Sequence, residues 1–167
     1  VHNAGLASAG RPSPRFIGCV FNNNQSTNEH GGAVYNKTVA SSTLFVNCVI
    51  SNNTAGATAR QGGAMYNFDS SPRIINCVLY NNQAGCVGNG IYNTQFSDPV
   101  ITNSILWASS NVIISVNNSD PVVTYCVVQD GYGEPADNND DADPLFVYAA
   151  SGDFRVLPGS PCINTGD

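Results

Sequence analysis

The feature that most constrains this chain is a short motif that returns five times. In each copy an apolar residue or Thr is followed two places later by Cys or Ser, and another apolar residue follows two places further on. The Cys or Ser positions are Cys19, Cys48, Cys77, Ser104 and Cys126, so the copies are 29, 29, 27 and 22 residues apart. A repeat of this length is typical of a solenoid, in which each repeat contributes one coil.

Two other motifs recur with the same period. Most repeats place a proline just before the apolar run, and Thr43 takes that place in the second repeat. These prolines are Pro14, Pro72, Pro99, Pro121 and Pro144. Proline is tolerated at the first residue of a strand, where its missing N–H costs no ladder hydrogen bond. The segment Gly-Gly-Ala-Val-Tyr-Asn at 31–36 returns at 62–67 with Met in place of Val, and more loosely at 88–93. It predicts a second strand in each coil, entered through a glycine turn.

Within each repeat the apolar residues alternate with a period of two, which indicates strands. If the Cys position points inward, alternation places the residues two before it and two after it inward as well. The residues before it are Ile17, Val46, Ile75, Thr102 and Thr124, and those after it are Phe21, Ile50, Leu79, Leu106 and Val128. The apolar residue directly after each Cys position is then outward, which fits this alternation poorly. Gly, Asn, Ser and Pro interrupt every apolar run, so no amphipathic helix is predicted.

The sequence therefore predicts an all-β parallel β-helix of about six coils, each of 22–29 residues. We expect a single domain over residues 1–167, with regular coils at 1–130 and an acidic loop and closing segment at 131–167.

Stacked coils place equivalent residues in columns about 4.8 Å apart. Asn24, Asn53 and Asn82 form one such column, each three residues after an inward apolar residue. Buried amides in this arrangement hydrogen-bond to the coils above and below, and a buried polar group left unpaired costs about 1–3 kcal/mol. We interpret this asparagine column as structural and not as a ligand site.

The six cysteines allow either free thiols or disulfides, and for the cysteines that share a column buried free thiols are favoured. Cys19, Cys48, Cys77 and Cys126 share one column, in which Ser104 replaces Cys, so Cys serves there as a small hydrophobe. Neighbours in a parallel, in-register column point the same way, whereas a disulfide needs converging Cβ vectors. Cys86 and Cys162 lie outside the column. The chain has only two histidines, His2 and His30, and no Cys-x-x-Cys motif, which argues against a zinc site.

Charge and hydropathy exclude several classes of function. Twelve acids against six bases give a net charge of −6, which disfavours a nucleic-acid partner because phosphate binding needs a basic face. The chain contains no run of 18 apolar residues, so no membrane-spanning helix is predicted.

Catalysis is also disfavoured. A polysaccharide lyase or hydrolase needs paired acids, or a base beside a calcium-bound carboxylate. Between residues 12 and 130 the only acids are Glu29, Asp69, Asp98, Asp120 and Asp130, and the only bases are Arg15, Lys37, Arg60 and Arg73. We therefore predict no catalytic residue and no cofactor-binding residue.

One segment departs from the repeat and offers oxygen ligands at alternate positions: Asp137, Asn139, Asp141 and Asp143. This spacing lets a loop wrap a hard cation such as Ca²⁺. However, Ala142 replaces the turn glycine of an EF-hand loop, and Tyr148 stands where its bidentate Glu would be. A calcium site and a solvated acidic turn are both open, and the pattern favours the turn. No other cofactor is predicted.

The Gly-Gly-Ala-Val/Met segments at 31–34 and 62–65 and the apolar-x-x-Asn segments resemble the repeats of bacterial polymorphic outer-membrane proteins. Those segments run from Phe21 to Asn24, from Ile50 to Asn53 and from Leu79 to Asn82. The resemblance extends to related secreted repeat proteins of the pectin-lyase-like superfamily, and the stretches 143–146, 152–156 and 159–164 resemble the closing segment of such helices. It implies a right-handed β-helix in an extracellular or cell-surface bacterial protein. It implies no single function, because this architecture hosts lyases, hydrolases, adhesins and stalks.

The sequence favours a non-catalytic structural or adhesive module, which is a filament-forming subunit or part of a larger surface protein. Residues 1–3 align with residues 34–36, so the chain begins partway through a coil. Open sheet edges invite pairing, and we therefore expect self-association or neighbouring coils of a larger protein at the N-terminal edge.

The alternative is a carbohydrate-binding or polysaccharide-degrading domain. Tyr35, Tyr66 and Tyr92 recur at one repeat position, and Tyr80 and Trp107 at another. If they face outward, these columns would form aromatic strips that suit sugar rings. If they pack under loops, the same columns are structural.

Overall fold

A computed structural model describes residues 1–4, 14–38, 43–56, 58–107, 110–133, 137–164 and 166. Within these ranges the chain forms short strands and one 3₁₀ helix at Ala149–Ser151. The strands of the first half are β1 (His2–Ala4), β2 (Arg15–Ile17), β3 (Val20–Asn22), β4 (Gln25–Ser26), β5 (Val34–Lys37), β6 (Leu44–Val46), β7 (Val49–Ser51), β8 (Thr54–Ala55), β9 (Met65–Phe68) and β10 (Arg73–Ile75). Those of the second half are β11 (Val78–Tyr80), β12 (Gln83–Ala84), β13 (Ile91–Thr94), β14 (Val100–Thr102), β15 (Ile105–Trp107), β16 (Ile113–Ser115), β17 (Val122–Thr124), β18 (Val127–Val128), β19 (Phe146–Tyr148) and β20 (Asp153–Val156).

The first eighteen strands form four parallel sheets. Sheet A contains β1, β5, β9, β13 and β16, and sheet B contains β2, β6, β10, β14 and β17. Sheet C contains β3, β7, β11, β15 and β18, and sheet D contains β4, β8 and β12. From β2 onward the chain visits sheets B, C, D and A in that order three times, and then makes shorter passages. This topology confirms the predicted all-β parallel solenoid, and its right-handedness stays a prediction.

The chain after Pro144 departs from the predicted sixth coil. Strands β19 and β20 pair with each other in antiparallel fashion and form a hairpin. The segment that resembles a closing segment therefore forms a hairpin and not another parallel coil.

The register of the repeats is the one that the sequence predicts. Strand β6 pairs with both β2 and β10, so that Val46 lies between Ile17 and Ile75. In sheet C, Val49 likewise lies between Val20 and Val78. The Cys column runs between these two sheets, in adjacent coils.

The predicted facing of the residue two before each Cys position is wrong. Phe45, Ile74 and Ile101 are fully buried, whereas their successors Val46 and Ile75 point outward and are partly exposed. The reason is a left-handed residue directly before each Cys position, which interrupts the alternation between sheets B and C. These residues are Gly18, Asn47, Asn76, Asn103 and Tyr125, with φ between 51° and 62°. The Cys positions and the residues two after them do point inward, with Cys48 at 1 % and Ile50 at 0 % exposure.

The glycine pairs before β5 and β9 of sheet A allow neighbouring coils to touch. Gly31 has φ +72°, in the left-handed region that glycine adopts without strain. A Cβ on Gly32 would collide with the carbonyl oxygen of Gly63 in the next coil and with the backbone of Thr54. The close approach of these backbones explains why the motif repeats two glycines.

Candidate functional site

The predicted asparagine column is a hydrogen-bond ladder that is buried at Asn53 and Asn82 and exposed at Asn24. Asn53 Oδ1 accepts hydrogen bonds from the backbone N–H and the Nδ2 of Asn24, at 2.9 and 2.8 Å. Asn82 Oδ1 accepts the same two bonds from Asn53, at 3.0 and 2.9 Å. Asn53 Nδ2 also donates to the carbonyl oxygen of Phe21 at 2.9 Å. Each amide therefore joins adjacent coils, as the structural interpretation predicts.

A second asparagine ladder in sheet A escaped the sequence analysis. Asn36 Nδ2 donates to Asn67 Oδ1 at 2.8 Å, and Asn67 Nδ2 donates to Asn93 Oδ1 at 2.8 Å. All three side chains are fully buried. The ladder ends at Ser115, whose hydroxyl accepts from Asn93 Nδ2 at 3.2 Å. The final Asn of the Gly-Gly-Ala-Val-Tyr-Asn motif was the available signal, because an invariant polar residue inside an apolar strand needs a partner.

The Cys column is also a hydrogen-bond ladder and not only a row of small hydrophobes. The backbone N–H of Cys48 points to Cys77 Sγ at 3.4 Å, and the N–H of Cys77 donates to Ser104 Oγ at 3.1 Å. Ser104 fits the column because it keeps an acceptor at this place. All six cysteines are free thiols, and for the four cysteines of the column this is the state that the sequence favours. Burial raises the pKa of the Cys77 and Cys126 thiols to about 11, so both stay protonated at neutral pH.

Two of the three tyrosines in the sheet A column are buried, so the column does not form an open strip, although Tyr35 is partly exposed. Tyr66 is 7 % exposed and Tyr92 is 9 % exposed, and their rings stack at 5.4 Å. The His30 ring stacks on Tyr66 at 4.3 Å, and His30 Nδ1 accepts the Gln61 backbone N–H at 3.1 Å. Burial, followed by the charges of neighbouring tyrosines, raises the pKa of Tyr66 to about 12. Of the two alternatives for this column, the structure shows packing under loops.

In the second aromatic column, Tyr80 packs against the hairpin formed by β19 and β20. The Tyr80 ring packs edge-on against Phe146 at 6.0 Å and against Phe154 at 5.3 Å. Trp107 lies next to Tyr80 in the register of sheet C and is partly exposed. The hairpin therefore lies on the outer face of sheet C.

The acidic segment closes the C-terminal end of the solenoid. The backbone N–H of Asp140 donates to the Cys126 carbonyl at 2.8 Å, and the Val128 N–H donates to the Asp140 carbonyl at 2.8 Å. Asn139 Oδ1 accepts the Cys126 backbone N–H at 3.0 Å, the role that Ser104 Oγ plays two coils earlier. This segment thus adds a last rung to the ladders between sheets B and C.

The structure places the predicted calcium ligands in different hydrogen-bond environments. These ligands are Asp137, Asn139, Asp141 and Asp143. Asn139 is committed to the end of the core, since its Nδ2 also donates to the carbonyl oxygens of Val123 and Tyr132 at 2.7 and 3.0 Å. Asp143 Oδ1 accepts the Leu145 N–H at 2.8 Å. In the described part of the chain, no three His, Cys, Asp or Glu side chains are grouped so that they could hold a metal ion. Calcium binding stays a prediction, and Asn139 is its least available ligand.

The N-terminal end of the solenoid has no such closure among the described residues. Phe16, Cys19 and Phe21 are partly exposed, whereas their equivalents Phe45 and Cys48 in the next coil are 0 % and 1 % exposed. Phe16 still stacks on Phe45 at 5.1 Å. One side of each of these first-coil residues is therefore packed, and the other faces outward along the solenoid axis.

Comparison with known families gives one match. Residues 18–37 match the Chlamydia polymorphic membrane protein (Chlamydia_PMP) repeat. They contain Phe21, Asn24 and the first Gly-Gly-Ala segment, the same motifs that carry the resemblance seen in the sequence. No curated protein and no solved structure matches the chain.

The match covers one repeat, and the structure shows equivalent strands in the following coils. Among the described residues, no helix has the length and apolar character needed to cross a bilayer. The repeat match indicates a module of a bacterial surface or outer-membrane protein. The chain is a parallel β-solenoid that resembles polymorphic membrane protein repeats.

Proposed function

We propose that this solenoid is a non-catalytic, extracellular structural or adhesive module that stacks its N-terminal end on another solenoid coil. The observation that carries the proposal is the difference between its two ends. The acidic segment closes the C-terminal end, whereas the first coil leaves Phe16, Cys19 and Phe21 partly exposed.

The acceptors of the first coil support a coil-like partner. In later coils, Asn53 Oδ1 and Cys77 Sγ at the equivalent positions each accept a hydrogen bond from the preceding coil. Asn24 Oδ1 and Cys19 Sγ accept no such bond from the described residues. A preceding coil with the same repeat would supply both donors and would bury Phe21. That coil belongs to another subunit, which gives a filament, or to the same larger surface protein.

The test is self-association measured by sedimentation over a range of concentrations. Phe21→Glu places a charge on the proposed stacking surface and should abolish concentration-dependent association. Val122→Glu is the matched control, because Val122 is an exposed apolar residue (53 %) on β17, far from that end. It should associate like the parent chain. A chain that stays monomeric at every concentration, with the amides of β2 and β3 as protected from hydrogen exchange as those of β6 and β7, would refute the stacking proposal.

The enzymatic version of the alternative function finds little support in the arrangement of charges. Arg15 and Arg73 share one outward column of sheet B, but Leu44 separates them, so they lie two coils apart. A carbohydrate-binding role on the tyrosine strip is disfavoured by the burial of Tyr66 and Tyr92.

A further inference from the structure

A groove runs beside the outer face of sheet C, between its first two strands and the C-terminal hairpin. It encloses about 430 Å³. Val20, Asn22 and Val49 lie on one side, with Asn52 at the turn that follows, and Ser151 and Phe154 of the hairpin region lie on the other.

The groove exists because the outward column of sheet C changes in size along the solenoid. Asn22 and Ser51 occupy the positions that Tyr80 and Trp107 occupy in the later coils. Tyr80 fills the space under the hairpin by packing on Phe154 at 5.3 Å. The smaller side chains of the first two coils leave that space open, and Val20 is 69 % exposed there.

The polar groups of the groove are held in place by one another. Asn22 Oδ1 accepts hydrogen bonds from Ser51 Oγ and from Asn52 Nδ2, both at 3.0 Å. Asn52 Oδ1 in turn accepts from Asn81 Nδ2 at 2.8 Å. These bonds fix the orientation of the Asn22 amide and leave its Nδ2 free of partners among the described residues. A ligand would therefore meet an oriented N–H donor. Binding would not have to pay the conformational entropy of ordering the Asn22 side chain, because the fold already orders it.

The side chains that line the groove indicate which class of ligand it would bind. No ionisable side chain lines the groove, which combines exposed valine, an aromatic ring and fixed amides. Pyranose rings present an apolar C–H face together with hydroxyl groups, and aromatic and amide side chains suit these two features. The groove residues also repeat at the strand spacing of about 4.8 Å, which suits a chain of linked sugars. We propose that this groove binds a neutral oligosaccharide.

A peptide strand fits the groove less well. Of the two strands of sheet C that line it, β7 is paired on both sides, with β3 and β11, so an added strand could pair only with the outer edge of β3. The proposal names a ligand for the adhesive part of the proposed function. It does not depend on end-to-end stacking, so the sedimentation experiment and the binding experiment can fail separately.

The test uses the full chain and a panel of neutral hexose and N-acetylhexosamine oligosaccharides, with oligogalacturonate as a charged probe. Binding is followed by amide chemical-shift changes. We expect at least one neutral oligosaccharide to shift the Asn22 and Asn52 side-chain amides, and oligogalacturonate to leave them in place.

Two matched substitutions locate the binding. Val20→Arg fills the groove with a long side chain and should weaken binding at least about tenfold. Ile17→Arg makes the same change at a residue that is also exposed (58 %), in the first coil but on sheet B, and should leave binding unchanged. Far-ultraviolet circular dichroism checks that both variants are folded. The proposal is overturned if no neutral oligosaccharide binds, if only oligogalacturonate binds, or if the two variants bind equally well.

Discussion

Removing one rung of the asparagine ladder should destabilise the protein far more than changing an exposed asparagine. In Asn53→Ala, the Phe21 carbonyl and the Asn24 N–H each lose the Asn53 side chain as their partner. Asn53 itself is fully buried, so water cannot replace its amide without opening the coil. At about 1–3 kcal/mol for each buried group left unpaired, and with Asn24 partly reached by water, the expected loss is about 2–4 kcal/mol.

The control substitution must be compatible with the backbone conformation at the exposed asparagine, Asn47. Asn47 is exposed, but its φ is +53°, and alanine in the left-handed region costs about 1 kcal/mol. Asn47→Gly avoids that cost and should change stability by less than about 0.5 kcal/mol. The expected order of destabilisation is therefore Asn53→Ala, then Asn47→Ala, then Asn47→Gly.

Urea denaturation followed by circular dichroism measures these differences. The three variants should share the m value of the parent chain, which would show that the same surface unfolds in each. If Asn53→Ala and Asn47→Gly unfold at the same urea concentration, the ladder does not contribute as argued.

Substitutions at three further positions test other parts of the structure. Cys77→Ala should be more destabilising than Cys77→Ser, because only Ser keeps an acceptor for the Cys48 N–H; equal midpoints in urea would contradict this. Burial, together with the nearby Arg60, lowers the pKa of His30 below its usual 6.5, so the unfolded chain binds the proton more readily. Stability should hence be highest above about pH 6.5 and fall as the pH drops from there to the folded pKa, and His30→Gln should flatten melting curves measured across that range. Asn139→Ala should lower the melting temperature equally with calcium and with EGTA if Asn139 acts as the last rung, whereas a loss seen only with calcium would support the metal site.

The sequence predicted the fold well wherever the same residue type recurs at the same position of successive repeats. The spacing of Cys19 and Cys48 and the column of Asn24, Asn53 and Asn82 depend only on stacking, and the structure confirms both. The predicted inward orientation of Val46 was wrong, because the prediction assumed that strand alternation continues through Asn47. Asn47 has a left-handed backbone, and Asn is one of the few residue types that adopt this conformation.

Contacts made outside the repeat could not be predicted in this way. Nothing in the sequence around Tyr80 shows that the hairpin packs against it, because the hairpin residues Phe146 and Phe154 have no counterpart in the coils. The burial of Tyr66 likewise depends on His30, which appears once in the chain at that place. A groove formed between repeat and non-repeat elements has the same origin, so it becomes visible only in three dimensions.

The buried amides also explain how a solenoid with so few charges keeps its register. A strand that slips by one residue turns its whole side-chain pattern over, and the apolar outward residues Val46, Val49 and Ile75 would tolerate that exchange better than charged residues would. The asparagine ladders would not tolerate it, because a slip would move Asn53 or Asn67 away from an equivalent amide and leave buried polar groups unpaired. The amide columns therefore supply the register specificity that outward-facing charges supply in other sheets. By the same argument, the proposed coil stacked on the N-terminal end would have to present its own amides in register with Asn24, so this end would favour a coil with the same repeat.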